Sequence, residues 1–515
     1  MICLVGFMGA GKTSALAELA AQGLETADSD DLVEAEIGCP IAEYFDRHGE
    51  QSFREAEQKI VLEAMADPGL DALALGGGAV ESPAIREALK GRSHTVVWLE
   101  IPPEVAWRRA RTSRRPLARD RATFTDLLAR RQPLYTEVAD ATLPATGGRM
   151  WDRALEPVRM LADTPAGTRM FWAESGNGGH PVYVGRGLLG SALFTDPGAL
   201  LPGDGRSFGI TDDSVGPLYG DRLGSLAGEI RVPPGESAKT MARAEQVLRE
   251  MATLGMTRAD RVISLGGGVV GDLAGFCAAT YQRGVPVVQV PTTLVAQVDS
   301  AYGGKTGVDL PEGKNYVGAF HLPSLVVTDV DTLASLPEGE LGAGMAEVVK
   351  TALLAGGWIW DEIRALEPGG MTDRADLVYA CARYKCEVVA GDERDGGLRA
   401  ALNLGHTVGH AIEAVTSYSR YRHGEAVALG LLAALRLSDL PELRSEVEEW
   451  NRRHGLPVEI DPPVDVDAVL EAIGRDKKKT EKGVGFVLLD APGEPKVGCL
   501  VAPDKVRRAV EELIS

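Results

Sequence analysis

The stretch Gly6–Thr13, GFMGAGKT, constrains this chain more than any other part of it. It fits G-x-x-x-x-G-K-[ST], a pattern that works between a strand and a helix, where glycines let backbone N–H groups wrap a phosphate. Its flanks meet that requirement. MICLV reads as a short buried strand, and KTSALAELAAQG as a helix closed by Gly23. Gly9, Ala10, Gly11, Lys12, Thr13 and Ser14 are therefore expected to hold a nucleotide, Lys12 on its β- and γ-phosphates and the Thr13 hydroxyl on Mg²⁺. ALALGGG (72–78) and HTVVWLEI (94–101) read as further buried parallel strands. The expected fold class is α/β, beginning with a doubly wound P-loop domain over 1–163 that ends in the amphipathic RMWDRALEPVRMLAD.

A phosphate loop does not name the acceptor. ADSDDLVE carries Asp28 and Asp30, SFREAE carries Arg54, and GGGAV carries Gly76, Gly77 and Gly78 at a strand end. SRRPLARD brings Arg115, and RRQPLY brings Arg131. Taken singly, Asp30 also suits a helix cap, and the arginines a solvated surface. Together they suit phosphoryl transfer from ATP to a hydroxyl on a carboxylate-bearing molecule. The aspartate orients the hydroxyl, paired arginine hydrogen bonds grip the carboxylate, and a mobile arginine neutralises the transferring group. This motif set resembles shikimate kinase over nearly all of 1–163. The resemblance implies that Asp30, Arg54, Gly77 and Arg131 hold shikimate, that Arg115 lies in a lid over ATP, and that Asp28 sits near the Mg²⁺ shell.

At 515 residues the chain exceeds one core, and about three units are expected. TPAGTRMFWAESGNGGHP (164–181) has the Pro, Gly and Ser content of a linker. Strands restart at 182 and alternate with helices to 336; from 337 to 515 helical runs dominate. SLGGGVVGDLAG (264–275) is a strand, a glycine turn and a helix start, which suits a pyrophosphate or a plain tight turn. Nearby runs supply Glu236 and Lys239, then Thr292 and Thr293, then Asp299, Lys305, Lys314 and Asn315, although Lys305 or Lys314 alone reads equally as surface.

Three of the eight histidines, His406, His410 and His423, crowd into one short region. Four residues apart on a helix, His406 and His410 share a face and could ligate one metal, with Glu347 available as a carboxylate and Lys350 three residues on. The runs GGGVVGD, PTTLVAQVDS, GGKTG, GKN, GMAEVVK, GLRAALNLGHTVGHAIE and HGE resemble 3-dehydroquinate synthase over roughly 175–515. The resemblance implies an NAD-binding part (182–336) and a mainly helical metal-binding part (337–515). It implies Zn²⁺ or Co²⁺ on Glu347, His406 and His423, and moves His410 from ligand to acid–base group. NAD⁺ falls to Glu236, Lys239, the turn of Gly268, Val269, Val270, Gly271 and Asp272, Thr292, Thr293, Lys305, Lys314 and Thr332. Substrate handling falls to Asp299, Lys305, Asn315, Lys350, Lys385, Arg399, Asn403 and His410, with Arg283 and Lys477 or Lys478 on the phosphate. Where the family carries Glu four residues before the arginine of GLR, this chain carries Asp395. The implied reaction oxidises a hydroxyl, expels phosphate, returns the hydride and closes a carbocycle by an aldol step.

The expected whole is a bifunctional enzyme of chorismate and aromatic amino-acid biosynthesis. One half phosphorylates shikimate with Mg²⁺ and ATP. The other cyclises 3-deoxy-D-arabino-heptulosonate 7-phosphate to 3-dehydroquinate. The alternative is another sugar-phosphate cyclase with a non-catalytic nucleotide-sensing P-loop domain. A net charge of −20 speaks against nucleic acid as partner, and no apolar run reaches a membrane span, which leaves small-molecule substrates. Six cysteines without C-x-x-C spacing, and a Met1 leading straight into the first strand, suggest a cytoplasmic protein. The synthase resemblance implies a homodimer.

Overall fold

All four residues of β1 (Ile2–Val5) are buried, as a strand covered on both faces must be. The computed structural model describes residues 1–111, 120–145, 149–176, 179–195, 205–392, 397–475, 479–480 and 483–514. These fall into two compact units, one of 1–172, 181–183 and 191–202, the other of 173–180, 184–190 and 203–515. In the first, β1 pairs in parallel with β3 (Ala72–Ala74) and β4 (Thr95–Glu100), placing Ile2 opposite Ala72 and Thr95. With β2 (Thr26–Asp28), β5 (Ala141–Pro144) and β6 (Arg169–Ala173) the order is β2-β3-β1-β4-β5-β6, all parallel. The helix Lys12–Ala21 starts from Gly11, whose φ of 85° favours glycine, so the phosphate loop sits at the carboxyl end of β1.

The stretch 164–181 is not the plain linker expected from its composition. Its apolar core forms β6, with Met170 opposite Ala141. The following strand, β7 (His180–Gly185), has Pro181–Tyr183 in the first unit, and Tyr183 donates to the Pro157 carbonyl at 2.7 Å. Pro, Gly and Ser at the ends of the stretch conceal a five-residue strand.

In the second unit β8 (Ser207–Asp212), β9 (Gly228–Val232), β10 (Arg261–Gly266), β11 (Val287–Pro291) and β14 (Leu325–Asp329) form a parallel sheet, ordered β14-β11-β10-β8-β9. β12 (Lys305–Leu310) and β13 (Gly313–Phe320) make an antiparallel hairpin. The helical residues from 337 onward fall in this same compact unit. They also include strand structure that the helical reading did not anticipate, β15 (Lys479–Thr480), β16 (Gly483–Leu489) and β17 (Pro495–Leu500). The helix Glu338–Ala355 is buried continuously from Ala343 to Leu354, as a central helix must be.

Two glycines bring the histidine helices to backbone contact. A Cβ on Gly424 would overlap the Ala343 carbonyl, and one on Gly430 the Gly405 carbonyl. Helices His406–Val415, His423–Leu437 and Glu338–Ala355 are thereby held together. In an open helix Gly→Ala gains about 1 kcal/mol. Here overpacking against a carbonyl costs about 1–3 kcal/mol, and the carbonyl cannot rotate away as a side chain would. Gly430→Ala is therefore expected to lower the thermal midpoint of the second unit; an unchanged or raised midpoint would show that the helices can part at no cost.

Candidate active sites

A cavity of about 510 Å³ opens at the phosphate loop, lined by Lys12, Thr13, Asp28, Asp30 and Gly77 among others. Thr13 Oγ1 donates to Asp28 Oδ2 at 3.0 Å, so one cation could meet both groups. Lys12 Nζ donates to the Gly6 carbonyl at 2.7 Å. Arg109, unremarked in the sequence, lines the same cavity and donates to the Gly9 and Ala145 carbonyls, each at 3.1 Å. Arg115 lies outside the described residues.

The expected acceptor residues do converge. Arg131 is 3% exposed, and its Nη2 donates to Glu81 Oε2 at 2.9 Å. Arg54 Nη2 lies 3.5 Å from that same oxygen, while its Nη1 donates to Glu57 Oε2 at 2.6 Å. Burial raises the Glu57 carboxyl above its ordinary pKa, against the pull of Arg54. A Cβ on Gly76 would stand 2.7 Å from both Asp30 Oδ1 and Glu57 Oε1, and one on Gly78 would collide with the Arg54 guanidinium. The glycine run thus lets acidic and basic side chains close over a strand end.

In the second unit three histidines and a carboxylate meet. The ring centroids of His406 lie 5.1 Å from His410 and 5.4 Å from His423, and one donor atom from each of the three falls within 4.8 Å of the others. Glu347 Oε1 is 3.5 Å from His406 Nε2 and 3.4 Å from His423 Nε2. Both Glu347 oxygens are buried without a well-formed hydrogen bond, although Lys350 Nζ lies 2.5 Å from Oε2. Burial drives His406 well below its ordinary pKa, which leaves it the neutral imidazole that ligates metals. Burial also opposes charge on His423, but Glu347 and Glu413 outweigh it and lift its pKa to about 10. The same two carboxylates would favour a divalent cation in place of the His423 proton, leaving neutral imidazoles and a carboxylate as the donor set. His410 is exposed at the rim.

Residues 229–343 match the family model for the 3-dehydroquinate synthase N-terminal part, 344–479 that for its C-terminal part, and 8–156 that for shikimate kinase. The 3-dehydroquinate synthase of Symbiobacterium thermophilum is 43% identical over 361 residues, spanning 66% of this chain and 99% of that protein. The chain belongs to the 3-dehydroquinate synthase family and carries a shikimate kinase domain. The 3-dehydroquinate synthase of Halorhodospira halophila is 42% identical, over 67% of this chain and 100% of its own. A 2-epi-5-epi-valiolone synthase from Streptomyces hygroscopicus, solved with NAD⁺ and Zn²⁺, is 25% identical with a TM-score of 0.58, covering 65% of this chain and 96% of that one. Both matched families are enzymes, a phosphotransferase and a carbon–oxygen lyase, so the chain is a bifunctional shikimate-pathway enzyme.

The synthase half places its expected cofactor residues at strand ends. Gly266–Gly268 ends β10 and opens the helix Gly268–Thr280, and a narrow cleft there reaches Asp272 and Lys305. Thr292, just past β11, keeps its Oγ1 buried without a hydrogen bond, an orphan donor that a phosphate or ribose fits. Thr332 lies past β14, its hydroxyl accepting from Gln297 at 2.9 Å. Lys239 is buried; burial works against its charge, yet Asp272 at 2.6 Å and Glu236 keep its pKa raised.

Deeper in, Asp299 lies 2.7 Å from Lys385 and 3.3 Å from Lys350. Burial would raise this carboxyl, but the two ammonium groups hold it down to about 2. Lys385 is pushed below its ordinary pKa by burial, against Asp299. Arg399 donates to the Gly303 carbonyl at 2.9 Å, Asn403 to Ala400 at 3.0 Å, and the Asn315 N–H to Asp309 at 2.7 Å. Arg283 stands apart: it follows the C-terminal end of the helix Gly268–Thr280, about 20 Å from the glycine turn. Lys477, Lys478 and Asp395 lie outside the described residues. Glu413 escaped the sequence reading. Its carboxylate meets His423 Nδ1 at 3.2 Å and Lys314 Nζ at 3.8 Å, and its signal was a spacing of seven from His406 on one helix face.

Proposed function

We propose that each half works through the residues its geometry brings together. In the kinase half, Lys12 and the loop Gly9–Ser14 hold the ATP phosphates, Thr13 and Asp28 hold Mg²⁺, and Arg54 and Arg131 grip the shikimate carboxylate over Gly77. Asp30 then orients the acceptor hydroxyl and takes its proton. The observation that carries this reading is that two guanidiniums from distant parts of the chain share one carboxylate oxygen, at 2.9 Å and 3.5 Å. Arginine forks bind carboxylates in paired hydrogen bonds that lysine cannot reproduce. Arg54→Lys and Arg131→Lys are each expected to weaken shikimate use by about 1.5–3 kcal/mol, the range for a charged hydrogen bond. Unchanged kcat/KM in both would remove the clamp.

In the synthase half, Glu347, His406 and His423 would hold Zn²⁺ or Co²⁺, and the β10 turn with Glu236, Lys239, Thr292, Thr293, Lys314 and Thr332 would hold NAD⁺. The metal would polarise a substrate oxygen, and NAD⁺ would accept and return a hydride. Asp299 aims Lys350 and Lys385 and favours their ammonium forms, so that they can steady developing negative charge. Lys305, Asn315, Arg399 and Asn403 orient the substrate, and His410 at the rim moves protons. The carrying observation is the buried Glu347 carboxylate, whose Oε1 stands between two imidazole nitrogens at 3.5 and 3.4 Å. Offering the two substrates separately tests the whole. ADP should form only with shikimate, and phosphate should leave only from the heptulosonate 7-phosphate; another ring product would favour the sister-cyclase reading. We further infer, from the family resemblance, a homodimer through the synthase half, for which light scattering should return twice 54.6 kDa. Six unpaired cysteines support a cytoplasmic location.

A further inference from the structure

Between the two arginines that would grip the substrate carboxylate, the chain has already placed a carboxylate of its own. Glu81 ends a short turn, Ala79–Glu81, just beyond the glycine run, and one oxygen, Oε2, serves both Arg131 and Arg54. The partners differ in freedom. The Arg131 side chain is 4% exposed and that of Glu81 34%, so Glu81 can swing out to water while Arg131 stays. Arg54 retains Glu57 at 2.6 Å whatever Glu81 does, whereas Glu81 is the carboxylate that answers Arg131. A buried guanidinium without a counter-ion is costly, so the substrate-free site needs such a group.

Resting on the clamp reading above, we propose that Glu81 is a resident counter-ion, a stand-in for the substrate carboxylate, which shikimate must displace from Arg131 and Arg54 in order to bind. Occupancy by Glu81 keeps the arginines aimed and prevents them from collapsing onto other acids. It also lowers apparent affinity, because only the fraction of molecules with Glu81 swung out is competent to bind. Glu81 acts through the arginines, so it is a positioning residue and takes no part in phosphoryl transfer.

The test is steady-state kinase kinetics on the full chain. Glu81→Gln keeps size and one acceptor for Arg131 but removes the charge. It is expected to lower the KM for shikimate about 3- to 10-fold, the effect of a competent fraction near one tenth to one third. The kcat and the KM for ATP should stay within about twofold, which a general loosening of the site would not allow. Direct shikimate titration without ATP should tighten by the same factor, and Glu81→Asp, which restores the charge, should return towards the parent. An unchanged or raised KM in Glu81→Gln overturns the proposal. Arg131→Lys in the same assay separates the two ideas. If it raises the KM while Glu81→Gln does not lower it, the clamp stands and the displacement fails; if it leaves the KM unchanged, both fail.

Discussion

Alanine at His406 or His423 is expected to yield protein with little bound metal and no cyclisation, whereas alanine at His410 should leave about one metal per chain. The three rings are close enough for any of them to ligate, with donor atoms within 4.8 Å. What separates them is Glu347, which reaches His406 at 3.5 Å and His423 at 3.4 Å, with its carboxylate buried. His423 is further fixed by Glu413 on its other nitrogen, the arrangement that orients metal-binding imidazoles. Losing a ligand removes a Lewis acid worth several kcal/mol, about 10⁴-fold in rate at 1.36 kcal/mol per tenfold. His410→Ala should instead lose about 10²- to 10⁴-fold through proton transfer, with metal retained. Elemental analysis of the purified variants decides the matter. A His410→Ala protein as empty as His406→Ala would make the pair four residues apart the true ligands. Kinase activity should persist in all three, because its residues lie in the other unit.

Lys12→Ala gives the second large effect. Its ammonium is held at the loop, 2.7 Å from the Gly6 carbonyl, where the phosphates of a bound nucleotide would meet it. Removing one preorganised group that stabilises transition-state charge costs about 10²- to 10³-fold in kcat. ADP formation with shikimate should fall by at least that factor, while phosphate release by the synthase half is unchanged. Equal loss of both activities would mean that the substitution damages folding rather than phosphate binding.

Much of this site chemistry was legible because it is local. A glycine-rich loop between strand and helix, or histidines spaced along one helix face, is written in neighbouring residues. What escaped was non-local. β6 looked like linker because its pairing partner β5 lies about thirty residues earlier, so a domain cut near 165 would strip the strand that pairs with β5. β16 and β17 were hidden in a run read as helical, since their pairing is made with each other rather than by any periodic pattern. Glu81 and Glu413 are acids in motifs whose neighbours drew the eye. Only the fold reveals that Glu81 faces Arg131 from fifty residues away, or that Glu413 turns His423 towards Glu347. For His410 the spacing permits a ligand; the family resemblance implies another role, and Glu347 beside His406 and His423 agrees with it.

Because the residues of the two sites fall in separate compact units of one polypeptide, every molecule made carries one copy of each catalyst. Transcription, message stability and degradation move both together, and their molar ratio is pinned at one. The relative flux through the two steps is then set by turnover numbers and substrate supply alone. A substitution that tunes either active site therefore does the work that separate genes would leave to expression level.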